Sequence, residues 1–259
     1  MTTVRKLSAF AGIEVGLESP MAALSLDPVP FRFFDLPSEL RVRVYELLLL
    51  IPDTIDLDSN NFRRITPRLN IFLVCKRMHE EAFRIFYGRH TFRLFSLSQR
   101  FFHAKRPLFS RLPQRYRAAV TKLELRVGPG WTAPPKGWNT APSLGLVDAT
   151  SMRLLKIFVE VDPSSHDIFK GFRVTEDFYT VFCQGLVREI LCQVPSITEV
   201  QFDAWTSVSK HAPLMRELLN EARIANREIS WGPLRGWNDG AEDPVGSIGL
   251  EDAMAMISL

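Results

Sequence analysis

The sequence predicts a mixed α+β / α/β protein, with an N-terminal helical module followed by an irregular layer of strands and helices. Three observations carry that expectation. Leu36, Leu40, Val44, Leu47, Leu48 and Ile51 recur at steps of three and four, the period of a helix with one apolar face. Three later segments alternate apolar and polar residues with period two, as half-buried strands do. Helical stripes lie between some of those strands, and strand–helix–strand order implies parallel pairing through right-handed crossovers.

Composition sets the outer bounds. The chain has 259 residues, 46% of them apolar and 24% charged, enough to bury a core without disulfides or metal. The longest strongly apolar run, Leu47 to Ile51, is far short of the roughly 20 residues that a membrane helix needs. Cys75, Cys183 and Cys192 form no CxxC pair, a usage that suits a reducing compartment. Glu14 interrupts the weakly apolar stretch after Arg5 and Lys6, unlike a signal peptide, so cytoplasm or nucleus is the expected location.

Along the chain, residues 1–29 read as a flexible leader with Pro20 and Pro28 and no sustained period. The helical module spans 30–95. Its first helix has Asp35 as an N-cap, Pro37 in the first turn and Glu39 near the positive end of the dipole, and it stops at Pro52. Glu39, Arg41, Arg43 and Glu46 lie largely opposite the apolar face. Asp53 to Pro67 reads as a loop, with Asn60, Asn61 and Pro67 as turn residues. A second helix follows, with Leu69, Phe72, Leu73, Cys75, Met78, Ala82, Phe83 and Phe86 apolar and Gly88 placed as a C-terminal cap. Thr91 to Phe95 alternates as a short strand.

Residues 96–237 form the second layer. Leu123, Leu125 and Val127 alternate with Lys122, Glu124 and Arg126. The pattern returns at Leu155 to Val161 and again at Val200 to Ala204, with Ile229 to Trp231 a last short strand. Apolar stripes from Phe178 to Val194 and from Leu214 to Ala222 mark two helices. The strand spacing is too irregular for a consensus solenoid and fits an irregular leucine-rich-like layer. Residues 238–259 read as a mobile acidic tail carrying five acids and no base.

The net charge of +3 is unevenly spread. Eleven bases and the single acid Glu124 lie between Arg84 and Arg126, giving that stretch +10 and the remainder −7. Arg84, Arg89, Arg93, Arg100, Lys105, Arg106, Arg111, Arg115 and Arg117 are its candidate patch. A solvated face, a surface for an acidic protein and a surface for nucleic acid or other anionic phosphates are all consistent with such a run.

No catalytic motif is present: there is no GxSxG elbow, Walker A loop, GxGxxG or HExxH. Cys75 and His79 stand four apart, a metal half-site with no second pair to complete it. Asp162, His166 and Asp167 cluster after a strand end, yet Ser164 and Ser165 are too near in sequence to serve as a triad nucleophile. The expectation is therefore a non-enzyme with no cofactor and no metal.

Leu36-Pro37-Ser38-Glu39-Leu40, followed by Val44 and Leu47-Leu48, resembles the opening of an F-box. Leu73-Val74-Cys75-Lys76-Arg77 resembles the second half of that motif. Met78-His79-Glu80-Glu81-Ala82, then Phe86-Tyr87-Gly88 and Thr91-Phe92, is similar to the F-box-like proteins abundant in filamentous fungi. The resemblance covers Phe33 to Phe95, about a quarter of the chain. It departs from the family in the long Asp53–Pro67 insert and in the lack of a tryptophan after Lys76-Arg77.

The resemblance implies a substrate adaptor. Its helices would dock on the linker protein of an SCF (cullin–RING) ubiquitin ligase, and its C-terminal layer would capture a protein target. Leu36, Pro37, Leu40, Val44, Leu48, Val74 and Cys75 are the implied partner-binding residues, part of that face being needed for the internal core. Arg41 and Arg77 are placed to steer toward an acidic linker surface. Trp131, Trp138, Trp205 and Trp237, in or beside loops, are either interface anchors or packed over the sheet edge. The alternative is a protein that binds nucleic acid or anionic phosphate through residues 84–126.

Overall fold

In a computed structural model, residues 31–56, 59–97, 106–128, 137–163 and 177–238 are described. The chain divides into two units, Met1–Pro37 and Ser38–Leu259. The described part of the first is a single 3-10 turn, Phe33–Asp35, with Leu36 N–H donating to the Phe33 carbonyl at 3.3 Å.

The second unit opens with three helices, α1 (Ser38–Leu49), α2 (Ser59–Leu69) and α3 (Lys76–Arg89). Asp35 is thus not the cap of α1; it ends the preceding 3-10 turn. The expected loop over Asp53–Pro67 is corrected as well, since α2 runs through Asn60, Asn61 and Pro67. Asn61 turns its amide away from the helix: Oδ1 accepts from Asp56 N–H and Nδ2 donates to the Thr54 carbonyl, so an apparent turn residue holds the preceding loop. Asn61 and Ile65, four apart, form the buried side of α2.

The helix expected over 69–88 is broken. Asn70–Leu73 is a 3-10 turn, and α3 starts only after Cys75, whose sulfur accepts from Met78 N–H at 3.4 Å as an N-cap. Gly88 lies inside the last turn of α3, which runs on to Arg89.

The sheet is five parallel strands in sequence order: β1 (Thr91–Arg93), β2 (Lys122–Val127), β3 (Leu154–Val159), β4 (Glu199–Ala204) and β5 (Glu228–Trp231). The short helices α4 (Leu108–Arg111) and α5 (Gln114–Arg117), not expected from the sequence, lie between β1 and β2. The long helices α6 (Phe178–Gln193) and α7 (Pro213–Ile224) flank β4 and pack on one another. Period-two alternation divides the strands cleanly. Leu123, Leu125 and Val127 align with Leu155, Ile157 and Val159 and with Val200, Phe202 and Ala204, all buried. The opposite face carries Lys122, Glu124, Arg126, Lys156, Phe158, Glu199, Gln201 and Asp203, all half-buried. The mixed α/β class is thus observed, with seven α-helices among the described residues.

One segment ties the helices to the sheet. Ile55 N–H donates to the Thr91 carbonyl (2.8 Å) and the Ile55 carbonyl accepts from Arg93 N–H (2.9 Å), extending the sheet by a parallel bridge beyond β1.

Candidate functional site

The buried side of α1 is set by Tyr45 and Leu49, both wholly enclosed. Arg41, one turn before Tyr45, joins them: its guanidinium grips Glu81 of α3 through Nε (2.9 Å) and Nη2 (3.0 Å). Tyr45 Oη donates to the same carboxylate at 3.1 Å, and Arg77 Nε donates at 3.3 Å. The Arg41 hydrogen bonds hold the Glu81 carboxyl below its usual range, and burial pushes the Tyr45 phenol up. Arg41, expected to steer a partner, is instead committed to the internal α1–α3 contact, whereas Arg77 stays exposed and meets Glu81 along its own helix.

With Tyr45 and Leu49 inward, the apolar stripe on the flank of α1 is turned out. Leu40 is 53% exposed, Leu47 68% and Leu48 49%, while Val44 is half-buried. The break between the 3-10 turn and α3 turns out three more, with Leu73 83% exposed, Val74 65% exposed and Cys75 exposed. A groove of about 570 Å³ lies between Leu47 and Leu48 of α1, Pro67 of α2 and Ile71 of the 3-10 turn. Arg64 and Arg68 form its rim. Arg68 Nη1 donates to the Leu48 carbonyl at 2.6 Å, and Arg64 pairs with Asp53. Of the other expected partner-binding residues, Leu36 and Pro37 belong to the first unit, where Leu36 is half-buried and Pro37 exposed.

Leu47, Pro67, Ile71 and Leu73 were not among the expected partner-binding residues. Helical period alone places Leu47 on the stripe but does not say which side of the stripe meets the core. The prominence of Leu73 follows from the helix break, which the apolar pattern conceals.

The basic stretch is distributed over four places. Arg84 and Arg89 are on α3, Arg93 on the sheet, and Arg106, Arg111, Arg115 and Arg117 on or beside α4 and α5. Arg100 and Lys105 lie outside the described residues. Arg93 bridges Asp56 and Glu124, both at 2.8 Å; Arg115 meets Glu80 at 2.7 Å, and Arg117 meets Asp148 at 2.6 Å. Arg89 meets Glu46 at 3.3 Å, and Arg126 pairs with Glu160.

The candidate chemistry elsewhere is occupied by packing. His79 contacts the Phe72 carbonyl (3.0 Å) and Tyr116 Oη (2.7 Å) through its two nitrogens. Among the described residues no three His, Cys, Asp or Glu gather as metal ligands would. Asp162 is buried and accepts from Leu214 N–H at 3.1 Å, capping α7, while His166 and Asp167 lie outside the described residues. Trp138 is buried and stacked on Phe95, Trp237 is buried against Trp231, Trp205 is half-buried, and Trp131 lies outside the described residues. No described helix is long and apolar enough to cross a membrane.

Compared with known proteins, the chain matches no family model, no curated protein and no solved structure.

Proposed function

We propose that this protein is an interaction adaptor of the F-box-like kind, in which the ridge on α1 and the Leu73–Cys75 break dock a ligase linker protein and the leucine-rich-like layer holds a target. The observation that carries the reading is the outward apolar stripe: Leu40, Leu47, Leu48, Leu73 and Val74 face solvent while Tyr45 and Leu49 make the core. Exposed apolar surface of this kind marks interaction sites, and a helix face set in a groove is a recurrent docking mode. The phosphate-binding alternative has less support, because five bases of the stretch 84–126 pair with carboxylates of the chain itself, and three of them, Arg93, Arg117 and Arg126, do so largely buried.

Binding of the full chain to a purified SCF linker protein tests the proposal. Wild type is expected to bind, and Leu40→Ala and Leu48→Ala each to weaken binding by about 2 kcal/mol, as truncated interface anchors do. Both side chains are about half exposed, so the fold is expected to survive both changes. Failure of wild type to bind, where a known F-box protein binds, excludes ligase membership. Unchanged affinity in both variants moves the contact elsewhere.

A further inference from the structure

One part of the basic stretch is not used up by internal pairing, and it borders a cavity. A groove of about 560 Å³ lies between the α4 segment and the turns at 142–148. Arg106, Ser110, Arg117, Asn139, Ser143 and Asp148 supply its polar lining. That size falls within the range of small-molecule sites, about 300–1,000 Å³.

Each charge on its wall has a traceable fate. Asp148 is fully engaged: Oδ2 accepts from Arg117 Nε (3.0 Å) and Nη2 (2.6 Å), and Oδ1 accepts from Gln114 Nε2 (2.9 Å). Arg117 spends its remaining nitrogen, Nη1, on the Leu112 carbonyl at 2.6 Å. Its guanidinium lies against Gly145, where a Cβ would fall 2.6 Å from Nε. Gly145 also sits at φ +77°, the left-handed region that favours glycine. Arg106, by contrast, is exposed and makes no ion pair among the described residues. Arg111 stands beside it, tied by Nε to the Arg106 carbonyl at 3.0 Å and likewise without a carboxylate among the described residues. Neutral groups complete the set: the Ser143 hydroxyl is exposed and has no hydrogen-bond partner among the described residues, and Asn139 uses Oδ1 to accept from Ala141 N–H, with Nδ2 left to donate.

We propose that this groove binds a small phosphorylated polyol, with the phosphoryl group on Arg106 and the hydroxyls against Asn139 and Ser143. The Arg106 guanidinium on the wall, with the Arg111 guanidinium hydrogen-bonded to the Arg106 carbonyl behind it, suits a phosphate monoester, which carries about −1.5 to −2 at neutral pH. Arginine forks suit phosphoryl oxygens, and neutral amide and hydroxyl groups suit a hydroxylated body. The site stands apart from the adaptor reading and does not depend on it.

Calorimetric titration of the full chain with ribose 5-phosphate tests the proposal. Ribose 5-phosphate is expected to bind, and ribose and inorganic phosphate each to bind at least about tenfold more weakly. Arg106→Ala is expected to weaken binding about tenfold to a hundredfold, the range for losing a hydrogen bond to a charged group. Arg84→Ala, which removes an exposed arginine of the same stretch from α3, is expected to leave binding unchanged. Vesicles of phosphatidylcholine doped with phosphatidylinositol 4-phosphate form the second arm. Capture by vesicles in addition to the soluble probe, both lost in Arg106→Ala, keeps the site and adds a lipid headgroup as a source. Capture by vesicles without soluble binding overturns it. So does absence of ribose 5-phosphate binding, an equal effect of Arg84→Ala, inorganic phosphate as tight as the sugar phosphate, or a single-stranded oligonucleotide that displaces the probe.

Discussion

His90 is buried at the end of α3 with both ring nitrogens in use. Nε2 accepts from Ile51 N–H at 3.1 Å, and Nδ1 donates to the Phe86 carbonyl at 2.9 Å. Only the neutral Nδ1–H tautomer satisfies both. Burial lowers the imidazole below its ordinary value of 6.5, and the charges of Lys122 and Arg68 push it the same way. A lowered pKa means that the unfolded chain binds the proton first, so this contribution to stability is full above about 6.5 and lost as pH falls through the folded value. Urea unfolding of wild type should therefore show a midpoint that drops between pH 7 and pH 5. His90→Gln should start lower and change less over that interval; parallel curves would remove His90 from the account. Gly128, directly after the last residue of β2, is constrained differently. At φ +128° a Cβ there would lie 2.7 Å from Glu160 Cβ and 2.8 Å from Val161 N. Gly128→Ala should cost about 1–3 kcal/mol, read as a lower urea midpoint with unchanged slope.

Among the elements, the join between the first helices and the sheet rests on a buried charge network. Arg93 of β1 donates to Asp56 (2.8 Å) and to Glu124 (2.9 Å through Nε), and Thr54 donates to the far oxygen of Glu124 at 2.7 Å. Removing the cation leaves two carboxylates facing each other with little water. Arg93→Met should accordingly destabilise the fold by about 3–5 kcal/mol in urea unfolding. A loss within experimental error would mean that the backbone bridge at Ile55 suffices alone. In the sequence Arg93 looks like one more base of a cationic run, because the acids that neutralise it are 37 and 31 positions away. The strands were legible for the opposite reason: period two is a local signal, and β2, β3, β4 and β5 fall where alternation places them. Helix α2 was not, since Asn60-Asn61 and Pro67 carry turn chemistry, and the tertiary use of the Asn61 amide cannot be seen in the chain. Helices α4 and α5, four residues each, are too short for any period to show.

At the scale of the whole molecule, residues from Ser38 onward form one unit that carries an apolar ridge, a polar sheet face and a polar groove. The ridge was partly legible. Leu40, Leu48, Val74 and Cys75 were picked out by resemblance and are exposed, whereas the inward roles of Arg41 and Tyr45 depend on Glu81 forty and thirty-six residues on. The chain also carries its own reporters, because Cys75 beside Val74 and Cys192 on α6 are both exposed thiols and Cys183 is buried, with burial raising its pKa. The most direct test of the proposed docking role of the ridge is the rate of iodoacetamide alkylation at Cys75 and Cys192 in the full chain, with and without saturating SCF linker protein. Selective protection of Cys75, with Cys192 unchanged, is the expected result; equal rates at Cys75 with and without the linker would contradict the account.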